Sequence, residues 1–98
     1  MTPLQQRIQA AVAALQRGEV VSYAEIARRA GRPGAARAVG TIMANARVSG
    51  LPYHRVIAAG GRIGGYGGSE GLKASLLAAE GLTVRGTRIL GWRDRTWK

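Results

Sequence analysis

The order of elements along the chain predicts a small α/β domain of the winged-helix kind, carrying a helix-turn-helix near its front. Three observations carry that expectation. Apolar residues recur at helical spacing up to about residue 46, and two capping-box patterns mark helix starts within that stretch. After Pro52 the apolar period shortens to that of strands. One further helix and a short tail complete the 98 residues, which make a single domain, 1–98.

Each element has its own local reason. In "TPLQQRIQAAVAALQRG", Thr2 is an N-cap, Pro3 suits the first helical position and Gln5 answers the cap. Leu4, Ile8, Ala11, Val12 and Leu15 then form one apolar face, and Gly18 is the expected stop. "SYAEIARRAG" repeats the device with Ser22 and Glu25 and ends at Gly31. "RPG" supplies a tight turn into a third helix, about 34–46, with Val39, Ile42 and Met43 inward. Two short helices joined by a glycine-containing turn read as a helix-turn-helix, about 22–46. Arg28, Arg29 and Arg32 flank its turn and Arg37 rides on its second helix. "HRVIAAGGRIGGY" predicts a hairpin with Val56, Ile57 and Ile63 around Ala-Ala-Gly-Gly. "SEGLKASLLAAEG" returns to helix, with Leu72, Leu76 and Leu77 inward and Gly81 as its end. "LTVRGTRIL" predicts a second hairpin around Arg85-Gly86. The tail "GWRDRTWK" holds Trp92 and Trp97 and reads equally as core, lid or partner surface.

Composition narrows the function. The chain has 15 Lys+Arg, 13 of them arginine, against 5 Asp+Glu, for a net charge of +10. That excess points to a polyanion, and arginine's planar fork to phosphate, so nucleic acid is the expected partner. A purely solvated basic surface and an anionic membrane are the alternatives. The chain has no cysteine, which excludes disulfides, thiolate metal sites and cysteine nucleophiles. One histidine and scattered carboxylates make no credible zinc site, so neither metal nor cofactor is expected. No apolar run approaches ~20 residues and the start lacks signal-peptide order. A cytoplasmic, nucleoid-associated protein without membrane contact is expected.

The chain's only histidine lies in Pro52-Tyr53-His54-Arg55-Val56. A lone histidine beside apolar residues is more often structural than catalytic, yet tyrosine, histidine and arginine together also suit a site wall. "PYHRVI" resembles the "PCHRV" signature of the O6-alkylguanine-DNA alkyltransferases, with Tyr53 where their nucleophilic cysteine stands. "GEVVSYAEIARRAGRPGAARAVG" resembles that family's helix-turn-helix, and "GGRIGGYGGSEGLKASLLAAEG" the segment after its active site. The resemblance covers most of residues 3–82, with the family's N-terminal domain expected to be absent. A DNA-binding half without the cysteine is similar to the alkyltransferase-like proteins, the family's non-catalytic branch.

The resemblance implies the rest. The fold would be that of the alkyltransferases' C-terminal domain, its second motif helix in the minor groove of DNA. Arg37 matches the arginine that enters the base stack, and Tyr23 the tyrosine that presses on a backbone phosphate. Ala36 and Gly40 belong to the same DNA-binding face, and Asn45 matches the hinge asparagine when counted back from Pro52. The lesion pocket would be lined by Tyr53, Val56, Tyr66, Gly67 and Gly68, with Tyr53 either stacking on the base or narrowing the space. Gly67 stands where many transferases have serine. His54 and Glu80 match the relay around the missing cysteine and are read as its retained scaffold, with Arg55 as a structural residue that pins neighbouring backbone or a carboxylate. A phenol, with an ordinary pKa near ~10, is a poor substitute for a thiolate at neutral pH. The implied function is recognition of O6-alkylguanine in duplex DNA by base flipping without alkyl transfer. The implied partners are that duplex and the damage-recognition subunit of nucleotide excision repair, bound by a monomer. The alternative is a winged-helix transcription regulator, dimeric and reading the major groove.

Overall fold

The computed structural model describes residues 2–45, 50–64 and 70–97, with Glu70 through its backbone alone. Helix α1, Pro3–Ala13, starts in a complete capping box: Thr2 Oγ1 accepts from Gln5 N–H and the Gln5 side chain accepts from Thr2 N–H. The helix stops sooner than Gly18 suggests. Ala14 is its C-cap, and Leu15 turns into the core ahead of the glycine.

Strand β1, Val21–Ser22, leads straight into α2, Tyr23–Arg29, whose N-cap Ser22 accepts from Glu25 N–H at 3.1 Å. Arg32 N–H closes the end of α2 on Ala27 O at 2.8 Å, and α3 follows over Ala36–Asn45. The helix-turn-helix is therefore present, with a second helix two residues shorter at its start than the sequence implied. Arg28 and Arg29 do not face outward as free charges. Both pair with Glu25 one turn back.

The segment after α3 departs most from expectation. Tyr53–Arg55 forms a single 3-10 turn, and β2, Val56–Ile57, follows it. β2 does not fold into a hairpin with Ile63. It pairs in parallel with β1, Val21 opposite Val56 and Ser22 opposite Ile57. Ala59–Gly61 is another 3-10 turn, closed by Ala58 N–H to Arg62 O at 2.8 Å. Pairing with β1 buries both residues of β2 completely, which a local hairpin of two apolar residues cannot do.

Helix α4, Glu70–Ala79, ends in a Schellman motif at Gly81, where φ is +89°. Leu82 N–H reaches Leu77 O and Gly81 N–H reaches Ala78 O. The two leucines of that motif, Leu77 and Leu82, are buried together. Its inward face differs from the expected one: Leu72 is 54% exposed and Lys73 is fully buried. β3, Thr83–Arg85, and β4, Arg88–Leu90, make the second expected hairpin, in antiparallel register.

Two apolar cores result. Ile8, Val12, Ile26, Val39, Met43 and Tyr53 unite the three first helices. Val20, Ile57, Ile63, Leu77, Leu82 and Ile89 unite α4 with the hairpin. The β1–β2 pair runs between them, Val21 and Val56 facing one core, Val20 and Ile57 the other.

Candidate nucleic-acid interface

An open groove of about 740 Å³ lies between the helix-turn-helix and the Ala58–Gly64 segment. One wall is built from the start of α2 and one face of α3. Ala36, Gly40 and Ala44 fall four residues apart there, so apart from Arg37 α3 presents only backbone and small groups to the groove. Its opposite face is held in the core by Val39 and Met43. Arg37, in the first turn of α3, lines the groove, is exposed, and makes no ion pair or side-chain hydrogen bond among the described residues.

Tyr23, the first residue of α2, lies across the groove floor. A Cβ on Gly64 would sit 3.4 Å from its Cε2, and one on Gly40 would sit 3.9 Å from its Cε1. The ring is thus slotted between two glycines from different elements. Lys73 approaches it from α4, Nζ 5.6 Å from the ring centroid, and donates to Val56 O at 2.6 Å. A fully buried lysine needs such partners. Sequence reading missed Lys73 because a lysine on an amphipathic helix reads as solvent-facing. Its place four residues before buried Leu77 was the available signal.

The opposite wall is Ala58, Ala59, Gly60 and Trp92. Trp92 closes on Gly61 so tightly that a Cβ there would stand 2.3 Å from its Cδ1, and Gly61 also has φ +82°. Only glycine fits. Trp92 is thereby placed on the groove as well as against the second core. No local pattern in the tail announces this, since it depends on a contact 31 positions back in the chain.

His54, Arg55 and Glu80 meet away from the groove. Glu80 is the C-cap of α4, at the negative end of the helix dipole, where a carboxylate is disfavoured unless cations surround it. Arg55 donates to both of its oxygens at 2.9 and 2.8 Å, His54 Nε2 lies 2.8 Å from Oε2, and Gly18 N–H reaches Oε1 at 3.2 Å. Arg55 also donates to Leu15 O at 2.9 Å. Burial alone would raise the Glu80 carboxyl. The hydrogen bonds from Arg55, His54 and Gly18 outweigh it and hold the pKa at about 2. The cluster ties the end of α1, the Tyr53–Arg55 turn and the end of α4 into one knot.

Other expected site residues lie elsewhere. Val56 is fully buried, its side chain in the first core, so it does not line the groove. Tyr53 is 4% exposed and packs in that same core, outside the groove lining. The pairing of Val56, three residues after Tyr53, with Val21 draws both inward. Asn45 ends α3 on the exposed surface, outside the groove lining. Tyr66, Gly67 and Gly68 lie outside the described residues.

Comparison with known proteins places this geometry. Residues 3–82 match the family described as 6-O-methylguanine DNA methyltransferase, DNA binding domain. S. pombe Atl1, solved in complex with damaged DNA containing O6-carboxymethylguanine, superposes with a TM-score of 0.86 at 31% identity, over 100% of this chain and 97% of that one. Mycobacterium tuberculosis OGT, solved in complex with DNA, gives 0.75 at 44% identity, over 82% of this chain and 50% of that one. A methylated-DNA–protein-cysteine methyltransferase from Mycobacterium leprae is 48% identical over 82 residues, 81% of this chain and 48% of the relative. Its counterpart from Cricetulus griseus is 53% identical over 70 residues, 69% of this chain and 34% of the relative. The chain thus spans about half the length of the mycobacterial relative and about a third of the other. Through this DNA-binding domain, the chain belongs to the 6-O-methylguanine DNA methyltransferase family.

Proposed function

We propose that the protein binds O6-alkylguanine in duplex DNA, swings the nucleotide into the groove, and leaves its alkyl group in place. The observation that carries this reading is the match, along the whole chain, to a protein solved on DNA containing O6-carboxymethylguanine. The groove supports it. Arg37, without an ion pair among the described residues, stands at the start of α3, placed to enter the stack and fill the space a departing base leaves. Tyr23 lies on the floor with its ring fixed between two glycines, and Trp92 supplies an aromatic wall. Aromatic stacking on a base contributes about 1–3 kcal/mol.

The chemistry of transfer argues the same way. The relatives are named for moving methyl groups to a protein cysteine, and this chain has none. Tyr53, at the position corresponding to that cysteine in "PYHRV", is packed in the core. His54 and Arg55 are engaged by Glu80, so the remains of a relay act as a structural knot. A lesion held but not repaired must pass to another system, and nucleotide excision repair, through its damage-recognition subunit, is the proposed recipient.

The test compares a duplex carrying one O6-methylguanine with its unmodified twin at physiological ionic strength. The marked duplex should bind at least ten times more tightly, a gain of about 1.4 kcal/mol. Intact-mass measurement after long incubation should show no methyl gain. Equal affinity for the two duplexes overturns the lesion reading, and a methyl adduct on the protein overturns the non-transfer reading.

A further inference from the structure

Arg85 and Arg88 are directly opposed in the β3–β4 hairpin, and Arg88 bridges on its other side to Arg62. Directly opposed residues of antiparallel neighbours project on one face, with Cβ atoms about 4.5–5.5 Å apart. Val84 and Ile89, the neighbouring pair, turn inward, so the arginines turn out, and all three are exposed. Like charges in opposed positions repel and weaken a hairpin. Among the described residues none of the three makes an ion pair, and Arg88 has only a long 3.4 Å bond to Gly60 O. That bond fixes the location, because Gly60 belongs to the groove wall. The row of guanidinium groups is therefore the outward continuation of that wall. Arg85 and Arg88 also lie beyond residue 82, where the family match ends.

We propose that Arg62, Arg88 and Arg85 form a ladder that grips successive phosphates of one DNA strand as it leaves the groove. The inference rests on the groove being the DNA site. Guanidinium forks match phosphate oxygens, and a bound polyanion turns the cross-strand repulsion into attraction. The ladder reads no base. It adds affinity for any duplex and fixes the side on which flanking DNA runs.

The triple variant Arg62→Gln, Arg85→Gln, Arg88→Gln is titrated with the O6-methylguanine duplex and its unmodified twin over a series of salt concentrations. The slope of log K against log salt should become shallower by about 2–3. Affinity at low salt should fall about equally for both duplexes, by tenfold or more, with the preference for the lesion kept. The DNA-free variant should melt no lower than the parent, because repulsion has been removed. If the triple variant fails to fold, Arg85→Gln alone should lower the slope by about 0.9. Shortening the duplex on one flank should abolish the difference between parent and variant, while shortening the other should leave it. An unchanged slope overturns the ladder, and an acidic protein then becomes the candidate for this surface. Loss of lesion preference in the parent, with the slope still falling in the variant, refutes the lesion reading and leaves the ladder standing.

Discussion

Arg37 and Gly61 show how much single positions decide. Arg37 has no partner within the described residues and stands in the first turn of a helix whose groove face is otherwise Ala36, Gly40 and Ala44. A long cation among such small neighbours reaches into whatever lies against the helix. Arg37→Ala should weaken binding to the lesion duplex by about 2 kcal/mol, the range of a lost stacking contact, and to plain duplex by clearly less. Equal losses, read by fluorescence anisotropy, would reduce Arg37 to a phosphate contact. Gly61 is constrained twice, by φ +82° and by the Trp92 ring that a Cβ would overlap. Gly61→Ala should cost about 2 kcal/mol or more in thermal unfolding and displace Trp92 from the groove, visible as a shift in tryptophan emission.

Among the elements, those defined by neighbours in sequence were readable and those defined by distant partners were not. Thr2 with Gln5 and Ser22 with Glu25 announce α1 and α2 because a cap needs only the next three residues. The β3–β4 hairpin is legible for the same reason. The β1–β2 pair is not: each strand has two residues, and Val21 meets Val56 across 35 positions of chain. Leu72 and Lys73 exchange their expected places because Val56 O, itself positioned by that pairing, offers the lysine an acceptor. For the site, the motif residues Tyr23 and Arg37 were legible and reach the groove, whereas Tyr53 and Val56 were drawn inward by the unforeseen strand. The knot at the end of α4 is the element-scale test. Removing the Glu80 charge strands Arg55, so Glu80→Gln should cost about 3 kcal/mol. The same carboxylate sets an acid limit. Its folded pKa, about 2, is below the ordinary 4.5, as is that of Glu25, which the hydrogen bond from Arg28 holds near 2. Their contribution is complete above about pH 4.5 and is lost as the pH falls toward 2. The melting temperature should drop across that window, and Glu80→Gln should flatten part of the drop.

The whole molecule divides its arginines among separate tasks. Arg7, Arg17 and Arg55 donate to the backbone carbonyls of Ala30, Ala79 and Leu15, binding one segment to another. Arg28 and Arg29 are spent on Glu25. Arg29 also stacks 4.3 Å from the Trp97 centroid, fastening the tail to α2. Val20 further joins that tail through a parallel bridge to Thr96, its N–H donating to Arg95 O at 3.1 Å. Residues 83–97 therefore do structural work that the tail's composition did not disclose. Truncation after Leu82 removes Val84, Ile89 and Trp92 from the second core and should abolish a cooperative melt by circular dichroism.

Few of the acidic groups are left to face the solvent. Glu25 and Glu80 are enclosed by cations, and Glu19 folds back to accept from Gln16 N–H, so of the described carboxylates Asp94 alone is exposed. The field around the protein is consequently almost unrelieved in sign, and it accelerates arrival on every stretch of a chromosome alike. Under the proposed function, discrimination is then a matter of dwell time: departure must be quick from ordinary sequence and slow from an alkylated guanine.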